Sequence, residues 1–371
     1  MYSSYRKLTF SEIFQNKNNK VFQYLPNNKS FFMCATARGG LEVCIKLIGL
    51  KKKDSVLMPA LTAEGAIRPF LEKNVNVILF DINEDLQIDV NKIDKMLDSN
   101  SSIRCLLIIH YLGVPQEIDK IKDICEKRGI YLIEDCAQSL FSNTSKKIPL
   151  GSYGHISLFS LGKTIPVLDG AIFFVNSSKI AINKISYSFS IQLLIAKLIL
   201  FINLFLNNYI QEMQKTKLFW KLNNLNKTLY RFYYYLLKKK SKPAKMSFIS
   251  NKIIKNLNYE EIIKNTKSNI NLIYDKIDRT KYKILVKNYD CNFFLLGIPI
   301  IANNRNELRE SLRKKGIFCS IFDKYWNYIP YGKEKVFPNT SNILKNLLIL
   351  PVSYKYKKNE IIQMVRIINE I

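Results

Sequence analysis

The sequence predicts an α/β fold, a mainly parallel sheet with helices on both faces, joined to a smaller C-terminal α+β domain. Three observations predict it. Short apolar runs alternate with amphipathic stretches over residues 31–178. The apolar runs are nearly unbroken rather than alternating apolar and polar, the pattern of strands buried on both faces. Two of them run out into imidazole, carboxylate or amide side chains, and ligands of such sheets collect beyond the carboxyl ends of the strands.

Taken in order, "LEVCIKLIGL" (41–50) has apolar residues at helical spacing and ends at a glycine. "DSVLMPA" (54–60) reads as a strand stopped by Pro59, and "VNVILFDI" (75–82) as a second. "IRCLLIIHYLG" (103–113) reads as a third, running to Gly113. "IDKIKDICEKRG" (118–129) is an amphipathic helix closed by glycine, and "IYLIEDCAQSL" (130–140) a strand that enters polar residues. His110, Glu134, Asp135 and Gln138 all fall at strand ends.

Residues 186–242 differ from this pattern. "IQLLIAKLILFINLFL" (191–206) is almost wholly apolar and "LYRFYYYLLKKKSK" (229–242) is aromatic and basic. The apolar run is shorter than the roughly 20 residues needed to cross a bilayer, and Gln192, Lys197 and Asn203 interrupt it. Two readings stand: an interfacial helix whose basic flank meets anionic headgroups over 187–240, or a helix buried in the protein or at a subunit interface. Pro243 opens a third stretch, with helix over 246–277, a strand within 284–302, a basic helix over 304–315 closed by Gly316, a strand at 347–353 and a final helix. The expected units are 1–185, 186–242 and 243–371.

Composition limits the classes of function. Of 371 residues, 47% are hydrophobic and 23% charged, enough apolar material for a real core. The net charge of +27 suits an anionic partner, or else reflects lysines scattered over solvated faces. There is no zinc-finger spacing, RNP-like strand or basic zipper, so nucleic acid is not an expected partner. The seven cysteines are widely spaced with no Cys-x-x-Cys pair, which suits a reducing compartment, and two histidines make a histidine-based metal centre an unexpected feature. The start lacks an apolar signal core, so the expected location is the cytoplasm, with peripheral contact at the inner face of the membrane if the 187–240 segment lies on it.

The chemistry rests on Asp135 and Lys163. A carboxylate at the end of a buried strand is costly unless paired. A lysine in the apolar run "FSLGKTIPVLDGAIFFV" (159–175) has a lowered pKa and becomes a nucleophile toward carbonyls. Together they match the needs of pyridoxal phosphate: an amine to condense with its aldehyde and a carboxylate for its ring nitrogen. Its phosphate needs backbone N–H groups at a helix start, and Thr36, Ala37, Arg38, Gly39 and Gly40 precede a helix. Each element alone has a plain structural reading; their order along one α/β chain favours the chemical one.

These stretches resemble the DegT/StrS type of pyridoxal-phosphate-dependent nucleotide-sugar aminotransferases, of the aspartate aminotransferase fold type I. The resemblance covers about 31–180 and 243–371. "TARGGLEVCIKLIGLKKKDSVLMPALT" resembles the family's first helix, strand and Pro-x-x-Thr loop. "LLIIHYLGVPQEIDKIKDICEKRGIYLIEDCAQSL" resembles its His-x-x-Gly strand and Ile-Glu-Asp-x-Ala-Gln signature, and "GSYGHISLFSLGKTIPVLDGAIFFV" its lysine segment. The resemblance implies that Lys163 holds the cofactor and shuttles the proton, Asp135 pairs with the ring nitrogen, and Gln138 lies beside the phenolic oxygen. It implies that Ser160, with the backbone at Ala37 and Arg38, contacts the phosphate, that Thr62 belongs to the cofactor site, and that no metal is used. It also implies transfer of an amino group from an amino acid, with glutamate the expected donor, to a nucleotide-linked keto-sugar for surface glycan or secondary-metabolite synthesis, by a homodimer. The alternative is a catalytically inactive, membrane-associated binding or regulatory relative of the same fold. Departures are Ala37–Arg38 for the family's Gly-Thr, Ala63 after Thr62 where an aromatic residue stacks on the ring, and Leu168–Asp169–Gly170–Ala171 for its Gly-Glu-Gly-Gly. His155 is expected to be structural.

Overall fold

The computed structural model describes residues 2–3, 21–27, 30–182, 185–188, 191, 194–199, 201–202, 206, 217–238, 243–286 and 292–371. A seven-stranded sheet organises the first half. Its strands are β1 (Phe31–Cys34), β2 (Ser55–Pro59), β3 (Asn76–Phe80), β4 (Ile103–Ile109), β5 (Tyr131–Asp135), β6 (Ile156–Ser160) and β7 (Ala171–Val175), in the order β1-β7-β6-β5-β4-β2-β3. The run β6-β5-β4-β2-β3 is parallel; β7 is antiparallel to β6 and to β1. The parallel crossovers carry α2 (Glu64–Glu72), α3 (Val90–Asp98) and α4 (Ile118–Arg128), and α1 (Ala37–Leu47) leads from β1 to β2.

Both sheet faces are covered, as the unbroken apolar strands require. Leu158, Phe173 and Val175 join the core cluster containing α1 residues Leu41 and Ile45. Phe159, Ile172 and Phe174, one residue out of phase, join a second cluster with Ile253, Ile254 and Tyr259. That second cluster takes in α7 (Phe248–Asn256) and the start of α8 (Tyr259–Lys276), so the chain beyond Pro243 begins by closing the large sheet. A third core then forms around the antiparallel strands β8 (Lys283–Ile284), β9 (Gly297–Ile301) and β11 (Leu347–Pro351), with α9 (Arg305–Lys314), β10 (Ile317–Phe318) and α11 (Lys358–Glu370). α6 spans Lys217–Lys238 and α10 spans Pro338–Asn346.

Three expected elements are shorter than the apolar pattern suggested. The strand from 103 stops at Ile109, because Leu112 (φ 54°) and Gly113 (φ 96°) take left-handed backbone that no strand can carry. The helix over 246–277 is two helices, α8 starting afresh where the Asn258 side chain accepts from the Glu261 N–H. The strand within 284–302 is Gly297–Ile301; residues 287–291 lie outside the described set. Parts of 186–242 also lie outside it, among them 192–193, 200, 203–205, 207–216 and 239–242.

Gly113 is a point of close approach. A Cβ there would sit 2.2 Å from the Phe294 carbonyl oxygen, on backbone at φ 96°. Gly113→Ala is therefore expected to destabilise by about 1–3 kcal/mol from overpacking, with backbone strain added. Urea unfolding checks this; an unchanged midpoint would contradict the contact.

Candidate active site

The strand register gathers the residues singled out above at one end of the sheet. Asp135, the last residue of β5, lies level with Ile109 of β4 and Leu158 of β6. Two residues further along, Ser160 of β6 lies level with Ala171 of β7, and Ala171 with Cys34 of β1. Beyond Cys34 the chain turns into α1, and beyond Ser160 into the short helix α5 (Leu161–Thr164) that bears Lys163. Thr36 caps α1, its hydroxyl accepting the Gly39 N–H at 3.1 Å. The N–H groups of Ala37 and Arg38, in the first turn, have no intrahelical acceptor.

Lys163 and Asp135 face each other electrostatically. Burial lowers the Lys163 amine and the Asp135 charge partly restores it. Burial raises the Asp135 carboxyl, opposed by the Lys163 charge, the Ala137 N–H bond at 2.9 Å and His110. A lowered amine is a better nucleophile, and a carboxyl pushed up by burial gains from a cationic N–H partner. Asp135→Asn should lower the Lys163 pKa further, since it removes what favours the charged form. Uptake of an aldehyde by the amine, followed by absorbance against pH, is then expected to reach its midpoint at lower pH than in the unaltered chain.

The remaining predicted residues fall around this pair. Gln138 is buried and its Oε1 accepts the Leu112 N–H at 2.6 Å, which leaves its amide N–H groups to point elsewhere. Thr62 is fully buried, and its hydroxyl has no hydrogen-bond partner among the described residues. The Thr164 hydroxyl, next to Lys163, is likewise without one. Ser160 and Arg38 are half-buried. Ala63 is the residue before α2 and offers no ring.

Three features were not legible as a set. The first is a buried polar chain behind Asp135. Gln116 N–H donates to His110 Nδ1 at 3.0 Å, so Nε2 carries the proton and donates to Glu134 Oε1 at 3.0 Å. Glu134 also accepts the N–H groups of Gly151 (2.6 Å), Tyr153 (3.1 Å) and Gly154 (2.8 Å). Burial alone would raise its carboxyl, but these bonds and His110 outweigh burial and hold it below its ordinary value. Ligand atoms of His110, Glu134 and Cys136 lie within 4.8 Å of one another, yet both ring nitrogens of His110 are already committed to hydrogen bonds. His155 is structural in the same sense, its Nδ1 accepting the Leu132 N–H at 3.0 Å. The second feature is Asp169, whose carboxylate accepts Ser247 and Ser250 hydroxyls, both at 2.6 Å, and pairs with Lys197 at 2.9 Å. The third is Trp326, whose ring centroid lies 5.3 Å from the Lys163 Nζ. Only its rarity in the sequence could have drawn attention to it.

A parallel sheet whose carboxyl edge carries an amine and a buried carboxylate, with a helix N-terminus beside them, defines a protein of the pyridoxal-phosphate-dependent aminotransferase fold. The sequence model of the DegT/DnrJ/EryC1/StrS aminotransferase family matches residues 15–190. Over that stretch, just under half of its length, the chain is similar to the family. It is similar to the GDP-perosamine synthase of Vibrio cholerae, 27% identical over 147 residues, a stretch spanning 39% of each chain. An uncharacterised protein of Methanocaldococcus jannaschii is 22% identical over 99% of this chain and 90% of its own length. Among solved structures, the pyridoxal-phosphate form of the putative sugar aminotransferase Spr1654 from Streptococcus pneumoniae superposes with a TM-score of 0.72 at 13% identity, covering 100% of this chain and 97% of that one.

The residues fit pyridoxal phosphate. The Lys163 amine is desolvated and charge-coupled to the buried Asp135, the Thr62 hydroxyl is buried without a hydrogen-bond partner among the described residues, and the first turn of α1 offers N–H groups for an anion.

Proposed function

We propose that this chain is a pyridoxal-phosphate-dependent aminotransferase that moves an amino group from an amino acid, glutamate first, to a keto-sugar carried on a nucleotide. The observation that carries the reading is the Lys163 amine, desolvated and charge-coupled to the buried Asp135 at the carboxyl edge of a parallel sheet. Bound there, the cofactor supplies an electron sink for labile C–H bonds next to nitrogen. Lys163 would hold it and would carry the transferred proton at its Nζ. Asp135 keeps the ring nitrogen protonated, and the Gln138 amide serves the phenolic oxygen. Ser160 and the Ala37 and Arg38 N–H groups receive the phosphate, with Thr62 in the same pocket. The basic surface suits a diphosphate-bearing substrate, and a related enzyme bears the name GDP-perosamine synthase.

The test is to load the purified chain with the cofactor, add ¹⁵N-glutamate and a nucleotide keto-sugar, and follow the label. Label in the sugar is expected. A visible cofactor band that never responds to any amino acid would overturn transamination and leave the inactive-relative reading.

We infer a homodimer from the family resemblance. For the surface segment, one observation favours a bilayer. Ile191, Leu194, Ile195, Leu198 and Ile202 are 42–66% exposed, at one helical face's spacing, while Ala196 and Ile199 are buried. The one cation among these described residues, Lys197, turns inward to Asp169. α6 adds Lys217, Lys221, Lys227, Arg231 and Lys238 with no acidic residue. Apolar outward side chains followed along the chain by a basic helix suit an anionic membrane surface. Among the described residues no helix is long and apolar enough to cross a membrane. Co-sedimentation with anionic but not neutral vesicles is expected, and its loss in the Leu194→Ser, Leu198→Ser double variant. No vesicle binding would overturn the reading, and a dimer weakened by the same variant would reassign this face to a second copy.

A further inference from the structure

Ala63 leaves the amine's surroundings without a ring from the loop after β2, yet an aromatic wall is present. Trp326 supplies it from the far end of the sequence. Its indole centroid stands 5.3 Å from Lys163 Nζ, the atom on which the proposed function turns.

Several contacts fix the indole in that place. The Lys324–Trp326 turn is capped by Asp323, whose carboxylate accepts the Tyr325 N–H at 3.0 Å, and the Trp326 N–H reaches the Asp323 carbonyl at 2.9 Å. The next residue, Asn327, forms an antiparallel bridge with Leu61, one residue before Thr62. The Leu61 carbonyl in turn accepts the Tyr111 hydroxyl at 2.5 Å. Phe322 closes the back, with its ring centroid 4.5 Å from Trp326 and 6.2 Å from Tyr111. The indole is thus half-buried, packed on the large core, and held to the loop that carries both the orphaned Thr62 hydroxyl and the ring-less Ala63. A half-buried indole with its centroid 5.3 Å from that amine is placed to contact what the amine holds, because aromatic rings attract one another at centroid spacings of about 4.5–7 Å.

We propose that Trp326 is the cofactor-contacting ring of this site, delivered by the C-terminal part of the chain in place of the aromatic residue absent at position 63. The ligand class is a planar heteroaromatic aldehyde joined to Lys163, and the proposal rests on the reading that Lys163 holds pyridoxal phosphate. Trp326 limits the tilt of that ring and keeps water from the Lys163 nitrogen.

The chain has two tryptophans, Trp220 and Trp326, so fluorescence isolates the contact. In a Trp220→Phe chain, adding pyridoxal phosphate should raise a visible band and quench the remaining emission about tenfold or more, as expected for contact. In Trp326→Ala the band should form with altered visible circular dichroism and faster cofactor loss on gel filtration, and Trp326→Phe should restore both. If the band forms and Trp326 emission stands, or if Trp326→Ala holds the cofactor with unchanged dichroism, the contact is refuted. If no band forms in the Trp220→Phe chain, and none forms in the unaltered chain, the cofactor reading itself fails and Trp326 has no ring to meet.

Discussion

Lys163→Ala is expected to abolish amino transfer and the visible cofactor band while leaving the fold intact. Loss of proton movement at Nζ alone should cost about 10²–10⁴-fold in rate, and loss of the covalent hold adds to it. The stability side has the opposite sign. The amine is desolvated and its pKa lowered, so keeping it in place costs the fold rather than supporting it. Asp135 loses the charge that opposes burial and its carboxyl rises further. The melting temperature should therefore stay level or rise slightly. Transfer retained within about threefold of the unaltered chain would remove Lys163 from its proposed role, and a collapse in melting temperature would mean that the amine supports the fold. Steady-state kinetics and calorimetry on the same preparation separate the two.

Glu134→Ala should have the largest effect on stability. The carboxylate is fully buried and accepts three backbone N–H groups and the His110 Nε2 proton. Truncation leaves these four donors, and the Cys136 thiol at 3.8 Å, without that acceptor, at a cost of roughly 3–5 kcal/mol. Against a usual domain stability of about 5–15 kcal/mol, that should lower soluble yield and the denaturation midpoint together. The loss has a pH signature. The folded carboxyl lies below its ordinary value, so its contribution is present above the unfolded glutamate pKa of about 4.3 and fades as pH falls through the folded value. The gap in stability between the unaltered chain and Glu134→Gln should narrow as pH drops from about 7 toward 3. A gap that widens would mean that the group is not held ionised by its partners.

Much of the large domain was legible because its signal is local. An unbroken apolar strand such as 103–109 and a glycine-closed amphipathic helix such as 118–128 declare themselves by period, and parallel pairing follows from their alternation. The early end of the strand at Ile109 had a local cause that apolar pattern does not carry, the left-handed Leu112 and Gly113. Asp135 and Lys163 were legible as a pair because both lie where strands meet helices, and the family resemblance gave the pair a chemistry.

By itself, then, the sequence determined the alternating elements, the faces they bury and the residue types at the strand ends. The tertiary structure alone decided which of those ends meet. The pairing that sets Cys34 level with Ala171, and so with Ser160, joins strands more than a hundred residues apart. Lys197 turned inward to Asp169, and Trp326 set beside Lys163, are likewise contacts between distant segments. No local periodicity encodes them, since they are settled by the closing of loops and the filling of space between layers that are already formed.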